Sequence, residues 1–450
     1  MADTEAAAMV EQSLSGHCLC KSNCASDFFI SSIEACRLSS DASAVVDDSF
    51  SVCSCCIGLL QPGFIKRVSG QLMESLRTEN YNVCTFKLLT EAPVCFSIRD
   101  RLAQRDATHS TWKELLKVAL IHLIEIQTGF HHDLNGKLSI CCTFTNKVED
   151  ERLFAILKNL TGEEVSNLSK TKLQAFIERL HSDQRNELAN QLTLANVVKL
   201  CDVQTKLITE PTLLAGRYIK FSRHLYQTPW LVSDGVVFVG CIQDRLAKVL
   251  KKRLRCDGVV FSAGGREDVD VRMLGSGRPF VVQCIGCREC NINELDIQQM
   301  QSAINSSTND INIVGLREVT KEEFVNLKSC ETEKTKTYVA LCRAAGPVET
   351  EQLSKLISLA PLTIEQKTPI RVLHRRTLAT RSRRIEKIHA WHGQDLCDFF
   401  ILITTEAGTY IKEFVHGDFG RTVPNVSDFL GVAVDLLELD VQSVDTNKGL

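Results

Sequence analysis

The sequence lacks any long hydrophobic run. Its longest apolar stretches, such as residues 118–124, are interrupted by charged residues or histidine well short of the about 20 residues that a membrane-spanning helix requires. Residues 1–16 contain Asp3, Glu5 and Glu11 but no basic and no apolar segment, so they do not resemble a signal peptide. We therefore expect no membrane association and a reducing compartment.

The sequence also lacks an excess of positive charge and any internal repeat of solenoid length. Its 52 Lys and Arg residues are outnumbered by 55 Asp and Glu residues, which gives a net charge of −3. Binding of a nucleic acid by this protein therefore requires a local basic surface, because the average charge provides no attraction. The 450 residues, 44% of them hydrophobic, suffice for two to four domains with cores, which excludes a disordered chain.

Cysteine, in contrast, is abundant, with 20 residues. In a reducing compartment, clustered cysteines bind metal ions more often than they form disulfides.

Residues 1–60 form a head rich in cysteine and serine. Residues 61–211 form a mixed α/β accessory region, in which Thr111 precedes a helical periodicity and residues 136–144 are typical of a strand. Strand-like runs then alternate with helical patterns, which predicts one large α/β domain over residues 212–450.

Three segments of this domain carry charged and aromatic residues that packing alone does not explain: residues 264–280, 333–341 and 405–422. Each also has an ordinary interpretation. The first is compatible with a solvated loop whose Arg and Asp side chains pair or cap a turn. In the second, Tyr338 is compatible with a half-buried strand tyrosine. The third is compatible with an amphipathic helix capped by Thr409.

Together, these segments resemble the archaeal and eukaryotic family of stand-alone tRNA pseudouridine synthases that carry a THUMP-containing accessory domain and modify the TΨC arm. The resemblance spans essentially residues 212–450. It rests on separated motifs in the same order, at residues 215–218 with 227–230, 266–268, 334–338 and 366–376. Residues 408–412, Gly-Thr-Tyr-Ile-Lys, are also similar to the Gly-Thr-Tyr-Ile-Arg motif of the bacterial single-site TΨC-loop synthases.

The resemblance implies an α+β fold in which a mixed, mainly antiparallel sheet is flanked by helices. It also implies that residues 61–211 are a THUMP-like RNA-binding domain. The expected activity is the isomerisation of uridine 54, uridine 55 or both in the TΨC arm of tRNA, a reaction without a catalytic cofactor. The expected protein is a monomer that acts on tRNA in the nucleus, the cytoplasm or both.

Three residues match the catalytic positions of this family. Asp268 matches the essential carboxylate, which acts as a nucleophile or as a base toward the sugar. A carboxylate in an enclosed pocket is readily neutralised, and an adjacent cation opposes this. Lys412 is the predicted counter-ion of Asp268, and Tyr338 matches the active-site tyrosine that stacks on the target base and assists proton transfer.

Alternatives remain for both the residue and the activity. Asp270 competes with Asp268, since alternation along an extended segment would place both on one face, but the family pattern Arg-x-Asp favours Asp268. Two carboxylates in one pocket are also compatible with a divalent-metal hydrolase, although no His-rich or third-carboxylate motif accompanies them. A non-catalytic RNA-binding or processing factor that kept the fold is the other alternative.

A basic segment at residues 366–387 contains eight Lys or Arg residues and a single acid, Glu386. Such a density in an acidic chain predicts contacts with RNA phosphates. The predicted substrate-binding and RNA-binding residues are Tyr338, Tyr410, Arg266, Arg371, His374, Arg375 and Arg376.

The family resemblance further implies a structural zinc ion in the head. Its four predicted ligands are Cys20, Cys24, Cys53 and Cys56. Cys53 and Cys56 have the C-x-x-C spacing of a zinc-binding pair, whereas the first pair is less regular and Cys18 is a substitute ligand. A head without metal is the alternative. The three cysteines within residues 284–290 are not required by the family and are compatible with a metal site or with ordinary thiols.

Overall fold

The computed structural model of the protein describes residues 52–103, 111–231, 237, 238, 240–329 and 335–444. The chain forms two compact units, Met1–Glu210 and Pro211–Leu450. No helix within the described ranges has the length and the hydrophobicity that a membrane crossing needs.

The described part of the first unit combines helices with a four-stranded sheet. Its helices are α1 (Pro62–Glu79), α2 (Val94–Leu102), α3 (Trp112–Thr128), α4 (Lys147–Thr161), α5 (Lys170–Glu178) and α6 (Ser182–Leu194). Its strands are β1 (Thr85–Glu91), β2 (His131–His132), β3 (Leu138–Thr145) and β4 (Asp202–Thr209). The strand order is β2-β1-β3-β4, with β1 parallel to β2 and β3, and β3 antiparallel to β4.

Local sequence signals explain where elements of this unit begin and end. The hydroxyl of Thr111 accepts a hydrogen bond from the amide of Glu114 at 3.2 Å, and the Glu114 carboxylate accepts one from the amide of Thr111 at 2.7 Å. This reciprocal cap starts α3 where the sequence predicts a helix, and Gly129, with a φ of 74°, ends it. The strand predicted at residues 136–144 is confirmed as β3.

The second unit is built around one large sheet. Its helices are α7 (Ile242–Leu254), α8 (Glu294–Ser307), α9 (Lys321–Ser329), α10 (Thr350–Ser358), α11 (Ile411–His416) and α12 (Val426–Leu430), and a 3-10 helix spans Ile370–Val372. Its strands are β5 (Thr212–Lys220), β6 (Trp230–Leu231), β7 (Val237–Phe238), β8 (Gly258–Ala263), β9 (Arg272–Ile285), β10 (Ile311–Glu318), β11 (Lys336–Ala344), β12 (Leu362–Lys367), β13 (Thr380–His392), β14 (Asp398–Thr405), β15 (Thr422–Val423) and β16 (Val434–Val444).

This sheet is mixed and mainly antiparallel. Within the described ranges it has ten strands in the order β10-β5-β9-β16-β11-β14-β13-β12-β15, with β8 attached to β9. Among these pairs, β9 with β16 is parallel and the others are antiparallel. The mixed α+β architecture is therefore confirmed. The α/β interpretation of the alternating patterns is wrong, because short connections such as the one between β13 and β14 join antiparallel neighbours.

The pairing of β9 with β16 brings two of the predicted catalytic segments to one end of the sheet. β9 begins directly after residues 264–271, and its first residue, Arg272, pairs with Asp440 of β16. The Arg272 guanidinium also binds the Asp440 carboxylate at 2.5 and 2.8 Å. The next residue of β16, Val441, pairs with Tyr338 of β11 on its other side. One strand therefore separates the Asp268 loop from Tyr338.

The three cysteines within residues 284–290 are buried in this unit. The thiol of Cys287 donates a hydrogen bond to the carbonyl of Cys284 at 3.4 Å, and the thiol of Cys290 donates one to the carbonyl of Cys287 at 3.2 Å. A hydrogen bond with Cys256, followed by burial, raises the pKa of the Cys287 thiol. At neutral pH Cys287 is therefore a protonated core side chain.

Candidate active site

Residues 264–271 form a loop that ends in a turn. The amide of Val271 donates a hydrogen bond to the carbonyl of Asp268 at 3.1 Å, so the chain reverses between them. The expectation that an extended segment places Asp268 and Asp270 on one face is therefore wrong. The turn nevertheless brings both carboxylates within 4 Å of the same cation, Lys412.

A group of buried polar side chains, here called the buried network, lies beside this loop and consists of Glu267, Arg278, Tyr218 and Gln227. Glu267 and Arg278 also border the cavity described below. Glu267 and Arg278 have side chains only 1% exposed and form an ion pair at 2.8 Å. The Tyr218 hydroxyl donates to the Glu267 carboxylate at 2.8 Å, and the Gln227 amide donates to it at 3.2 Å. Burial and the charge of Glu267 raise the pKa of Tyr218 well above its ordinary value. The network therefore compensates its own charges and anchors the loop at Glu267.

Two further cations hold the backbone of the loop. The ammonium group of Lys220, a buried residue, donates to the carbonyls of Asp268 and Val269, both at 3.1 Å. Arg223 donates to the carbonyl of Asp270 at 3.0 Å. Because these bonds use main-chain oxygens, they fix the loop and leave the Asp268 carboxylate available for other partners.

The Asp268 carboxylate pairs most closely with Arg371. The distance from its Oδ2 to a terminal nitrogen of Arg371 is 2.7 Å, whereas Nζ of Lys412 lies 3.6 Å away. Lys412 is closer to Asp270, at 2.7 Å. The predicted counter-ion is thus present but is the more distant of two cations. The nearer one, Arg371, is a residue that the sequence predicts only as RNA-binding.

Arg371 is itself held by Glu413, whose side chain is 1% exposed. The two Glu413 oxygens accept hydrogen bonds from Arg371 Nε at 2.7 Å and from the second terminal nitrogen at 3.4 Å. Burial alone would lower the pKa of Arg371, but the hydrogen bond and charge of Glu413, with the charges of Asp268 and Asp270, raise it overall. This two-point contact fixes the guanidinium plane and directs its remaining nitrogen toward Asp268.

The two competing aspartates differ in their surroundings. Partial burial raises the pKa of Asp270, but the hydrogen bond and charge of Lys412 outweigh it and lower the pKa below its ordinary value. The Asp270 side chain is 57% exposed and that of Asp268 is 31% exposed. Asp268 lines the adjacent cavity, and Asp270 is not among the lining residues. The geometry therefore favours Asp268 as the group that meets a bound ligand.

The cavity beside the loop has a volume of about 360 Å³. This size falls within the range of clefts that bind small ligands. Its lining includes eight of the predicted catalytic and substrate-binding residues: Asp268, Tyr338, Lys412, Tyr410, Arg266, Arg371, Arg375 and Arg376. The ninth, His374, is exposed and is not among the lining residues.

Tyr338 reaches this cavity from β11, which confirms the strand predicted around it. Burial raises the pKa of Tyr338 to about 12, an effect that the charge of Arg278 reduces and that of Glu267 reinforces. The phenol is therefore protonated at neutral pH. It can donate a proton or a hydrogen bond, and its ring can contact a flat ligand, but it is not poised to act as a phenolate base.

The basic segment of residues 366–387 divides into paired and unpaired cations. Arg383 lies 3.0 Å from Glu406, and Arg384 lies 3.1 Å from Glu386. Among the residues that the structure describes, no acid pairs with Lys367, Arg375, Arg376 or Lys387. Arg375 and Arg376 are exposed and border the cavity, as does Arg266. Only part of the predicted basic surface is thus available for phosphates, and within that part Arg375 and Arg376 adjoin the cavity.

The helix that carries Lys412, α11, begins differently from the prediction. Its cap position is Tyr410, which makes no side-chain capping bond, and the Thr409 hydroxyl donates to a preceding carbonyl at 2.9 Å. The interpretation of Thr409 as the helix cap is therefore wrong. The buried side chain of Gln366 instead accepts a bond from the Tyr410 amide and donates one to the Tyr410 carbonyl, both at 2.9 Å. Gln366 thus attaches α11 to β12.

Half of the predicted zinc site can be located. Cys20 and Cys24 lie outside the described residues. Cys56 is buried and Cys53 is half-buried, in the segment that leads into α1. In the described ranges, no group of three or more His, Cys, Asp or Glu side chains is arranged to hold a metal ion. A four-cysteine site therefore depends on the head, and it stays a prediction.

Comparison with known proteins connects this site to a family. The family model of the C-terminal region of Pus10 matches residues 213–445. The tRNA pseudouridine synthase Pus10 of Xenopus laevis is 33% identical over 422 residues, covering 88% of this chain and 80% of the relative. The human protein of the same name is 31% identical over 426 residues, covering 90% and 80%. The protein of that name from Thermofilum pendens is 33% identical over 289 residues, covering 63% and 64%.

Solved structures give weaker matches. A Cbf5-Nop10-Gar1 complex has a chain that aligns with a TM-score of 0.27 and 19% identity, covering 51% of this chain and 49% of that one. A pseudouridylate synthase aligns with a TM-score of 0.20 and 12% identity, covering 61% and 86%.

Proposed function

Because the chain belongs to the Pus10 family of tRNA pseudouridine synthases, we propose that it converts uridine 54, uridine 55 or both in the TΨC arm of tRNA into pseudouridine, with Asp268 as the essential carboxylate. The enzyme is an isomerase. The reaction breaks the bond between C1′ and N1, turns the uracil ring and joins C1′ to C5, from which a proton is released. Substrate and product contain the same atoms, so no group donor or oxidant is needed.

The observation that carries the proposal is the position of the Asp268 carboxylate. It lines the cavity, its backbone is held by Lys220, and its charge is matched by Arg371 at 2.7 Å. Attack on C1′ and removal of a sugar proton both require the carboxylate in its charged form, which an adjacent guanidinium stabilises. The geometry serves either route, and Lys412 supplies a second positive charge at 3.6 Å.

Tyr338 and the unpaired arginines complete the proposed site. A protonated Tyr338 on the cavity wall offers its ring to the uracil and its hydroxyl to the proton that moves during rearrangement. Arg266, Arg375 and Arg376 face the same cavity without competing acids, so their charges are available for the phosphates that flank the target uridine. Tyr410 borders the cavity beside them, and His374, outside it, belongs to the RNA surface in this proposal.

Tritium release from tRNA that contains 5-tritiated uridine tests the proposal, because the hydrogen on C5 leaves when C5 bonds to C1′. Wild-type protein should release tritium from an unmodified transcript, and Asp268→Ala should lower the rate by about 10²–10⁴-fold. A transcript with uridine 54 or 55 replaced by cytidine identifies the modified position.

Two outcomes would contradict the proposal. Full activity of Asp268→Ala would remove this carboxylate from the mechanism. A wild-type protein that binds the transcript but releases no tritium would favour a non-catalytic RNA-binding factor. Because the folded loop is held by main-chain contacts, the variant should keep the wild-type melting temperature, and that measurement separates lost chemistry from lost folding.

The first unit has a proposed supporting role. We propose that residues 61–211 are THUMP-like and bind RNA, and that Cys53 and Cys56 hold a structural zinc ion with Cys20 and Cys24. The spacing of half-buried Cys53 and buried Cys56 fits thiolate ligation. Elemental analysis should find about one zinc per chain, and Cys53→Ser with Cys56→Ser should lose it. A wild-type protein without zinc would contradict this assignment.

A further inference from the structure

Residues 417–420 form a turn in which four consecutive residues adopt positive φ angles. The values are 79° for Gly417, 46° for Asp418, 56° for Phe419 and 76° for Gly420. Glycine adopts this region freely, but a residue with a side chain does so at a steric cost, and a bulky aromatic is especially uncommon there. A segment that keeps such a conformation is held by its surroundings and often serves a function.

The strained turn displays the ring of Phe419 to solvent. This residue is 96% exposed, so its side chain adds almost nothing to the core. Exposed single hydrophobic residues are ordinary on protein surfaces, and exposure alone would mean little. Here, however, a large ring is combined with an unfavourable backbone conformation that glycine or asparagine would adopt more easily.

The turn is held rigidly from the inside. The buried carboxylate of Asp418 accepts a hydrogen bond from the amide of Ile370 at 3.2 Å. The amide of Thr422 donates to the carbonyl of Gly417 at 3.1 Å, which closes the turn. Arg421 donates to the carbonyl of Thr368 at 2.6 Å. These contacts fix the backbone on both sides of Phe419 and attach it to residues 368–370.

The same contacts connect the turn to the candidate active site. Ile370, which binds Asp418, immediately precedes Arg371, and Arg371 binds the Asp268 carboxylate at 2.7 Å. The surface around residues 366–376 also carries cations without an acidic partner among the described residues, namely Lys367, Arg375 and Arg376. Proteins hold unpaired nucleotides by combining an exposed ring with cations that bind phosphates, and here the turn that carries the ring is attached to the segment that carries the cations.

We propose that Phe419 is a stacking platform for an unpaired nucleobase of the RNA substrate, next to the nucleotide whose uridine enters the cavity. This inference rests on the proposed function, which supplies the RNA. The strained turn orients the ring in advance, so little conformational entropy is lost when the base stacks on it. The ring contributes to substrate binding and not to the chemical step.

The test compares Phe419→Gly with Phe419→Trp and with Leu295→Ala. Leu295 is 66% exposed on α8, which packs on β10 at the opposite edge of the sheet from β15, so it is a control for the loss of an exposed apolar side chain. Binding of an unmodified tRNA transcript is measured in the Asp268→Asn background at fixed salt. We expect Phe419→Gly to raise Kd by about tenfold, Phe419→Trp to retain binding, and Leu295→Ala to match the parent.

Two further readouts distinguish stacking from other effects. The slope of log Kd against log salt should be unchanged in Phe419→Gly, because the ring carries no charge. With Asp268 intact, KM should rise while kcat at saturation and the melting temperature stay near wild type. Glycine accepts the positive φ, so the variant keeps the turn.

The inference is wrong if Phe419→Gly binds tRNA as the parent does while the wild type isomerises uridine. It is also wrong if binding falls only together with the melting temperature. A wild-type dimer that dissociates on Phe419→Gly would assign the ring to a second copy of the chain instead. Absence of tritium release by the wild type, in contrast, is a failure of the proposed function.

Discussion

Two adjacent carboxylates, Glu267 and Asp268, have opposite environments. The Glu267 side chain is 1% exposed and belongs to the buried network with Arg278. The Asp268 side chain is 31% exposed, lines the cavity and pairs with Arg371. Adjacent positions along the backbone thus hold one carboxylate whose charge is paired inside the fold and one that is partly exposed to the cavity.

The difference shows how this loop combines rigidity with reactivity. A buried ion pair is costly to form, but once its hydrogen bonds are complete, removing one partner is strongly unfavourable. Glu267 therefore anchors the loop, and Lys220 adds main-chain bonds on the other side of it. The Asp268 carboxylate is left with two cations, Arg371 and Lys412, and solvent as partners, so it can exchange contacts with them for contacts with substrate without unfolding the loop.

The largest expected effect on stability comes from Glu267→Gln. The substitution leaves the guanidinium of Arg278 buried without its ion-pair partner, so we expect a loss of about 3–5 kcal/mol. For a unit of this size, that corresponds to a fall of roughly 10 °C in melting temperature. Calorimetry of the unfolding transition measures it.

Asp268→Asn is the matched control for Glu267→Gln, because it makes the same chemical change one residue further along. It should change the free energy of unfolding by no more than about 0.5 kcal/mol, since its side chain is partly exposed. Equal melting temperatures for the two variants would contradict the division of roles between the two carboxylates.

A smaller effect is expected from Glu413→Gln, which tests how firmly Arg371, the ion-pair partner of Asp268, is held in place. Glu413 fixes the guanidinium plane of Arg371 through two contacts, at 2.7 and 3.4 Å. With a neutral amide in its place, Arg371 is less well oriented toward Asp268, and we expect kcat to fall by about tenfold. KM should change little, because Glu413 is 1% exposed and is not among the residues that line the cavity.

A merely structural role of Glu413 would give a different result. It would lower the melting temperature and the amount of folded enzyme and leave kcat per folded enzyme unchanged. Glu438→Gln is a suitable control, because Glu438 also binds an arginine, Arg223 at 2.6 Å, but its side chain is 50% exposed. If both variants keep the wild-type kcat per folded enzyme, Glu413 does not position Arg371 for catalysis.

The sequence predicts which residues meet in this site better than it predicts how they pair. Asp268, Tyr338 and Lys412 lie in separate motifs, and their shared cavity follows from the family resemblance. Arg371, the cation nearest to Asp268, lies 103 residues away along the chain and is one of eight basic residues in its segment. No periodicity distinguishes it from Arg383, which pairs with Glu406. The contact of Arg371 in the 3-10 helix with Glu413 in α11 makes that choice.

The same limit applies to the fold. Capping residues and alternation place elements well, as at Thr111 and in β3, because these signals act over a few residues. The order of strands in the large sheet depends on pairings between distant segments, such as β9 with β16, which no local pattern encodes. The buried network escaped prediction for a related reason, because Glu267 in a charged loop looks solvent-exposed until Tyr218 and Arg278 enclose it.

The smallest effect is expected from Asp270→Asn, which tests whether Asp268 or its rival Asp270 is the reactive carboxylate. Asp270 pairs with Lys412 at 2.7 Å, but its side chain is 57% exposed, so the pair should contribute less than about 1 kcal/mol after screening by solvent. Because the pKa of Asp270 is lowered in the folded protein, its contribution is present above the unfolded value of 3.8 and disappears as the pH falls through the lower, folded value. Tritium release should drop by less than about fivefold, and the stabilities of variant and wild type should converge in acid. A loss of activity as large as that of Asp268→Ala would instead make Asp270 the reactive carboxylate, and the cavity-facing Asp268 its support.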